Sequence, residues 1–116
     1  MKVAIGCDHA GYPLKVAVED KLLKEGYEII DLGTDSTEPV DYPGYGKAVG
    51  EAVARGLAER GIVICGSGIG ISIAANKVKG VRCALCTSVE MAEMSRRHND
   101  ANVLAMGARM IEQDLA

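Results

Sequence analysis

The stretch Ile62-Val63-Ile64-Cys65-Gly66-Ser67-Gly68-Ile69-Gly70 decides the fold of this chain. Its first four residues are apolar and mostly β-branched, which indicates a buried strand. Glycine then occupies every second position, and the small residues that follow through 74–76 predict a helix that starts directly after the loop. A buried strand that enters a helix through a tight glycine turn is typical of an α/β protein with a parallel sheet.

The same alternation of strand and helix extends in both directions from this stretch. Leu14, Val18 and Leu22 recur at helical spacing after the first strand, and Gly26 ends that helix. Five strands that alternate with helices, two of them almost wholly apolar, predict a three-layer α/β/α sandwich with a five-stranded, parallel, Rossmann-like sheet. The predicted strands are residues 2–7, 27–32, 62–65, 81–86 and 102–106, and the helices between them include 49–57 and 88–97.

The length of the chain predicts one domain. Its 116 residues form a single unit over 1–116, and 48% apolar and 25% charged residues match neither a disordered chain nor a membrane protein. A last helical pattern begins at Ala108 and stops at Ala116. We therefore expect a C-terminal covering helix that is truncated.

Charge and composition also bear on partners and location. The net charge of -3 attracts no polyanion, and the absence of Phe and Trp leaves few rings for stacking on bases, so we expect no nucleic-acid partner. Residues 1–15 have no small-residue cleavage site after an adequate apolar region. Four cysteines in a chain without an export signal fit a reducing compartment, so we predict a cytoplasmic location.

The predicted sheet suggests where a ligand binds. In an open α/β sheet, ligands collect beyond the carboxyl ends of strands where the connections diverge to opposite faces. If the loops after the first and third strands share one ligand, those two strands are neighbours. The glycine loop 66–70 favours an anion, because its backbone N–H groups can approach closely and a helix begins there; a plain tight turn is the alternative.

Several side chains near these loops admit both a functional and a structural interpretation. Cys65 precedes a helix N-terminus, which stabilises a thiolate, but a free cysteine is often only a small buried apolar residue. Asp8 and His9 follow a buried strand and are costly in a core, although a bare turn would also place them there. His98 continues a helical stripe and could be a core residue, or a hydrogen-bonding group near a helix end.

Metal and redox roles are weakly supported. Cys83 and Cys86 have the C-x-x-C spacing, but Cys83 lies inside a predicted strand and the pair does not straddle a helix start. Two histidines and no second cysteine pair do not favour a zinc site. We therefore expect no metal ligands.

The ordered motifs along the chain resemble one family closely. It is the type B ribose-5-phosphate isomerases, which also include galactose-6-phosphate isomerase subunits and allose-6-phosphate isomerases, and the resemblance covers essentially the whole chain. The motifs that carry it are Cys7-Asp8-His9-Ala10-Gly11, Asp31-Leu32-Gly33, Val40-Asp41-Tyr42-Pro43, the run from Ile64 to Lys77, and His98-Asn99-Asp100-Ala101-Asn102-Val103-Leu104.

The resemblance implies an aldose–ketose isomerase that acts through a cis-enediol(ate) without metal or organic cofactor. By position, Cys65 resembles the base of the family, which moves a proton between carbons 1 and 2. Backbone N–H groups of the loop that holds Gly66, Ser67, Gly68, Ile69 and Gly70 resemble the anion hole for the enediolate, and Ser67 is expected to hydrogen-bond near Cys65.

The resemblance also implies the remaining site residues. His98 resembles the residue that opens the furanose ring, with Asp8 as its proton partner and Asn99 as an orienting group. His9 and Arg109 resemble phosphate-binding residues, and Tyr42 resembles a residue that lines the sugar site.

The family builds its sites at a dimer interface. The resemblance therefore implies a homodimer or a dimer of dimers, in which His98 and Arg109 serve Cys65 of the other chain. Ribose 5-phosphate is the expected substrate, with allose or galactose 6-phosphate as alternatives. A catalytically weakened phosphosugar-binding subunit and a flavodoxin-like nucleotide module are further alternatives, the latter disfavoured by the few aromatic residues.

Overall fold

The computed structural model describes residues 1–36, 38 and 42–116. Strands and helices alternate throughout, and their order confirms the α/β prediction. The elements are β1 (Lys2–Cys7), α1 (Tyr12–Lys24), β2 (Glu28–Asp31), α2 (Tyr42–Ala54), β3 (Arg60–Cys65), α3 (Ile69–Asn76), β4 (Cys83–Leu85), α4 (Val89–Asn99) and β5 (Val103–Gly107).

The five strands form one parallel sheet in the order β2-β1-β3-β5-β4. The predicted adjacency of the first and third strands is confirmed: Val3 pairs with Arg60 and Cys7 with Ile64. The carboxyl ends of β1 and β3 therefore lie side by side.

Two buried clusters cover the two faces of the sheet. On one face α2 and α3 pack through residues such as Val49 and Ile71 against Val63 of β3. On the other face α1 packs through Leu14 against Ile5 and Ile64. Since α1 leaves β1 toward one face and α3 leaves the neighbouring β3 toward the other, the carboxyl edge between these strands is the switch point where α/β proteins bind ligands.

The predicted C-terminal helix is wrong. Residues 108–116 form turns, and the backbone after β5 is bonded to the end of β3 and the loop after it: Ala108 N donates to Cys65 O (2.8 Å) and Arg109 N to Gly66 O (2.9 Å). Two separate helix-like bonds form here, from Ile111 N to Gly107 O (3.2 Å) and from Ala116 N to Glu112 O (3.1 Å). A single turn fixes several residues for one hydrogen bond and does not propagate.

Candidate active site

Cys65 is the last residue of β3, and its sulfur faces the backbone of the glycine loop. The side chain is buried, with 6% of its surface exposed. Gly68 N donates a hydrogen bond to Cys65 Sγ over 3.1 Å. Gly68 has a φ of 81°, a left-handed conformation that L side chains rarely adopt, and this turn directs its N–H toward the sulfur. A donated N–H and a helix start both favour a negatively charged sulfur.

The N-terminus of α3 offers further N–H groups beside this sulfur. The first hydrogen bond of the helix runs from Ser72 N to Gly68 O (3.2 Å). The N–H groups of Gly70 and Ile71, which precede Ser72, therefore have no acceptor within the helix. Ile69 N donates instead to Ser67 Oγ (3.1 Å). Ser67 therefore fixes the loop beside Cys65, and the group that donates to the Cys65 sulfur is the backbone N–H of Gly68.

Burial keeps the other three cysteines protonated. Burial raises the pKa of Cys7 to about 11 and that of Cys83 to about 12, and burial also raises the pKa of Cys86. These thiols stay protonated at neutral pH. Of the residues in the described ranges, no three His, Cys, Asp or Glu side chains group as a metal site requires.

Asp8 and His9 lie next to Cys65 in the fold, directly after β1. Asp8 is buried with 8% of its surface exposed, Asp8 N donates to Ile64 O (3.1 Å), and Asp8 Oδ1 accepts from Gly11 N (3.0 Å). His9 is half-buried in the same loop. The structure thus brings the predicted groups after β1 and β3 to one edge of the sheet.

Arg109 reaches the same edge from the turn after β5. A methyl group placed on Gly66 would lie 3.2 Å from a guanidinium nitrogen of Arg109, so the cation lies over the glycine loop of its own chain. Its side chain is otherwise exposed. In the single chain Arg109 lies beside its own Gly66, and the implied service of Arg109 to another chain stays a prediction.

His98 and Asn99 lie at the opposite edge of the sheet from Cys65. They end α4, where Arg82 Nε donates to Asn99 O (2.6 Å) just before β4 begins. The amino edge also holds Asn102 O, which accepts from Gly61 N at the start of β3 (2.9 Å). The six residues of β3 separate the two edges by roughly 17 Å, so His98 does not meet Cys65 of its own chain.

The periodicity that made His98 a possible core residue is misleading. His98 is exposed, as are Met91 and Met94 of the same stripe, with 45% and 50% of their surfaces open. The core interpretation of His98 is wrong, because α4 leaves this stripe outside the folded chain. Tyr42 begins α2, but its side chain lies outside the described residues, as do Val40 and Asp41.

Lys15 was missed by sequence analysis. It is 1% exposed, and its ammonium group binds Asp31 at the end of β2. The signal was available in two places: Lys15 adjoins Leu14 on the inward side of α1, and Glu19 follows four residues later. The helical pattern is recognised from the spacing of apolar residues, so it does not reveal that a lysine is buried.

Residues 3–116 match the sequence profile described as Ribose/Galactose Isomerase. The chain belongs to this isomerase family. Ribose-5-phosphate isomerase B of Escherichia coli K12 is 50% identical over 115 residues, which cover 99% of this chain and 77% of that protein. Membership places the chain among the sugar-phosphate isomerases.

Solved structures of the family share the fold. Ribose-5-phosphate isomerase B of Clostridium thermocellum superposes with a TM-score of 0.98 at 60% identity, over 99% of this chain and 78% of that one. The Mycoplasma genitalium enzyme, determined with bound ribulose-5-phosphate, gives 0.94 at 35% identity, over 98% and 76%. No helix in the described ranges is long and apolar enough to cross a membrane.

Proposed function

We propose that this chain interconverts ribose 5-phosphate and ribulose 5-phosphate through an enediol(ate), with Cys65 as the base. The observation that carries the proposal is the hydrogen bond from Gly68 N to Cys65 Sγ at the switch point of the sheet. A relative of the same fold with bound ribulose-5-phosphate supports the pentose as substrate.

The geometry at Cys65 fits a proton shuttle between adjacent carbons. A Cys65 thiolate takes the proton from carbon 2 of the open-chain aldose, and the electron pair forms the carbon 1–carbon 2 double bond while negative charge develops on oxygen 1. Gly70 N–H and Ile71 N–H stabilise that charge in a preorganised anion hole. The thiol then returns its proton to carbon 1, and the hydroxyl proton of oxygen 2 moves to oxygen 1, which gives the ketose.

Ring opening and phosphate binding fall to other predicted groups. Asp8 is buried at the same edge and can exchange a proton with the ring oxygens, with His98 as its partner. His9 and Arg109 supply the phosphate contacts, and the position of Arg109 over the loop at Gly66 supports this role. Asn99 and Tyr42 are assigned to orienting the sugar.

A second copy of the chain is needed to complete this site. His98 ends α4 at the amino edge, about one strand length from Cys65, so a histidine from a partner chain must reach the carboxyl edge. The exposed apolar side chains of α4, Val89, Met91 and Met94, would be buried by such a partner. We therefore propose a homodimer with shared sites. The cytoplasmic location stays a prediction.

The decisive variant is Cys65→Ala, with Cys86→Ala as its control. Both cysteines are buried near strand ends to a similar degree, 6% and 5% exposed, but only Cys65 receives the loop N–H. In a coupled assay of ribose 5-phosphate conversion, we expect Cys65→Ala to lose at least about 1,000-fold in kcat while Cys86→Ala keeps it. Circular dichroism checks that both variants fold.

A chelator belongs in the same assay. The protein supplies both the base and the charge stabilisation in this proposal, so turnover should survive chelation. Full turnover by Cys65→Ala would show that the base is misassigned, and loss of turnover with chelator would show that a metal takes part.

Isomerisation of a hexose 6-phosphate is the second candidate. The description of the family to which the chain belongs, Ribose/Galactose Isomerase, names a hexose beside the pentose. The ratio of kcat/KM for ribose 5-phosphate to that for allose or galactose 6-phosphate separates the two. Tight binding in calorimetry without turnover of any of these sugars would instead indicate a phosphosugar-binding subunit.

A further inference from the structure

Lys15 is the largest fully buried side chain of the described chain, and it carries a charge. Its Nζ lies 2.7 Å from both carboxylate oxygens of Asp31. Burying an ammonium group costs several kcal/mol unless it is paired, and an apolar residue of similar shape would often be as stable. The ion pair therefore calls for an explanation besides stability.

A closed circuit of hydrogen bonds connects this ion pair to Asp8. Asp31 Oδ1 accepts from Gly33 N (2.8 Å), and Gly33 O accepts from Cys7 N (2.6 Å), the residue before Asp8. Asp8 Oδ1 accepts from Gly11 N (3.0 Å). Gly11 O then accepts from Lys15 N (2.9 Å), which returns the circuit to its start.

The charges of the pair are maintained in the folded protein. Burial acts to lower the pKa of Lys15, but the hydrogen bond and charge of Asp31 outweigh it and raise that pKa. Burial acts to raise the pKa of Asp31, but hydrogen bonds from Glu19, Lys15 and Gly33 N–H outweigh it and lower that pKa. A cation and an anion thus hold the loops after β1 and β2 together.

We propose that Lys15 and Asp31 are positioning residues that hold Asp8 at the substrate edge of the sheet. The inference rests on the proposed function, because Asp8 takes part in ring opening there. The pair touches no substrate. It fixes both ends of the segment that carries Asp8, one through Gly33 and Cys7, the other through Gly11.

The variants separate positioning from stability. Lys15→Met keeps the length of the side chain but leaves Asp31 without its cation, so it should lower the melting temperature. Adding Asp31→Asn removes the unpaired carboxylate while Asn Oδ1 can still accept from Gly33 N. We expect the double variant to regain most of the stability. Lys24→Met breaks the exposed pair with Asp20 on the same helix and serves as the control.

Positioning predicts that kcat and stability separate. In the double variant kcat should stay about 10- to 100-fold below that of the parent chain even though the melting temperature recovers, because misplacing a reacting group by about 1 Å has such an effect. Lys24→Met should match the parent in both. If kcat of the double variant recovers together with its stability, the pair is structural only and the proposal fails.

Amide hydrogen exchange tests the proposal without relying on turnover or on a variant that folds. In the parent chain, Gly11 and Gly33 lie in loops, yet their amides should be protected about as well as those of β1. Exchange as fast as at exposed Gly80 would overturn the proposal. A parent chain that isomerises no sugar but shows this protection, with its loss at Gly11 in the double variant, would refute the proposed function and leave the positioning intact.

Discussion

Glu19 lies beside the buried Lys15, one turn further along α1. Its Oε1 lies 3.8 Å from Lys15 Nζ and, within the described residues, has no hydrogen-bond partner. Burial, a hydrogen bond with Asp31 and the charge of Asp31 raise the pKa of Glu19 from 4.5 to about 7. At pH values between 4.5 and about 7, the folded protein therefore keeps a proton on Glu19 that the unfolded chain has lost.

This raised pKa predicts a pH-dependent stability. The folded state holds a proton on Glu19 more tightly than the unfolded chain does. The stability that Glu19 contributes through this proton is therefore fully present below pH 4.5 and is lost as the pH rises through about 7. Between about pH 5 and about pH 8, we expect the chain to lose about 1–3 kcal/mol relative to Glu19→Gln. Urea denaturation at several pH values measures the difference.

Glu51→Gln is the control for this measurement. Glu51 forms an i,i+4 contact of the same length, 3.8 Å to Lys47, but both groups are exposed. Its substitution should leave the pH dependence of the parent chain unchanged, because exposed pairs contribute little. A parallel pH dependence in the parent and in Glu19→Gln would show that Glu19 does not carry the effect.

Individual residues were predictable to different degrees. Cys65 and Asp8 stood out because each follows a buried strand at a position where the α/β topology gathers ligands, and both lie at the switch point. Lys15 was not predictable by the same route. Its partner Asp31 is 16 positions away, and only the pairing of β1 with β2 brings them together.

At the scale of elements, the connection from β3 to α3 depends on Gly68. With φ at 81°, Gly68 turns its N–H onto the Cys65 sulfur, and a Cβ there would lie 2.8 Å from the carbonyl carbon of Met106. Gly68→Ala should therefore destabilise the fold by about 2–4 kcal/mol and lower kcat by at least about tenfold. Urea denaturation and the coupled assay measure the two effects.

Gly56→Ala is the matched variant, since it isolates the cost of the backbone conformation. Gly56 also has a positive φ, 75°, but a Cβ there would meet no atom within 4 Å. We expect a loss of about 1 kcal/mol with normal turnover. Equal effects of the two substitutions would mean that contacts around Gly68 do not matter to the loop.

The elements themselves follow from local sequence where one face is buried. Apolar runs ended by glycine or polar residues predicted all five strands, although β4 is shorter than expected, at Cys83–Leu85. The helix expected from residue 108 does not propagate beyond single turns, and the chain there is bonded through Ala108 N and Arg109 N to Cys65 O and Gly66 O. Those acceptors lie at the end of β3 and in the loop after it, and no local pattern reveals them.

At the scale of the whole molecule, the distance between His98 and Cys65 predicts that active sites are shared between chains. Cys65→Ala and His98→Ala should each be nearly inactive alone. If equal amounts are unfolded and refolded together, half of the dimers contain one chain of each kind, and each such dimer has one intact site. Turnover should then recover to about a quarter of the parent value.

The controls for this mixture are each variant refolded alone and a mixture of Cys65→Ala with itself under a different tag. Size-exclusion chromatography with light scattering gives the mass of each sample. A mixture that stays inactive while mixed dimers form would show that His98 does not act on the Cys65 of a partner.

The sequence by itself determined the fold class, the position of Cys65 before a helix and the family resemblance, because strand periodicity, glycine spacing and motif order are local properties of a chain. Only the tertiary structure decided which groups meet. It placed Arg109 over its own glycine loop, moved His98 to the far edge and joined Lys15 to Asp31. These outcomes depend on strand order and helix direction, which join residues far apart in sequence.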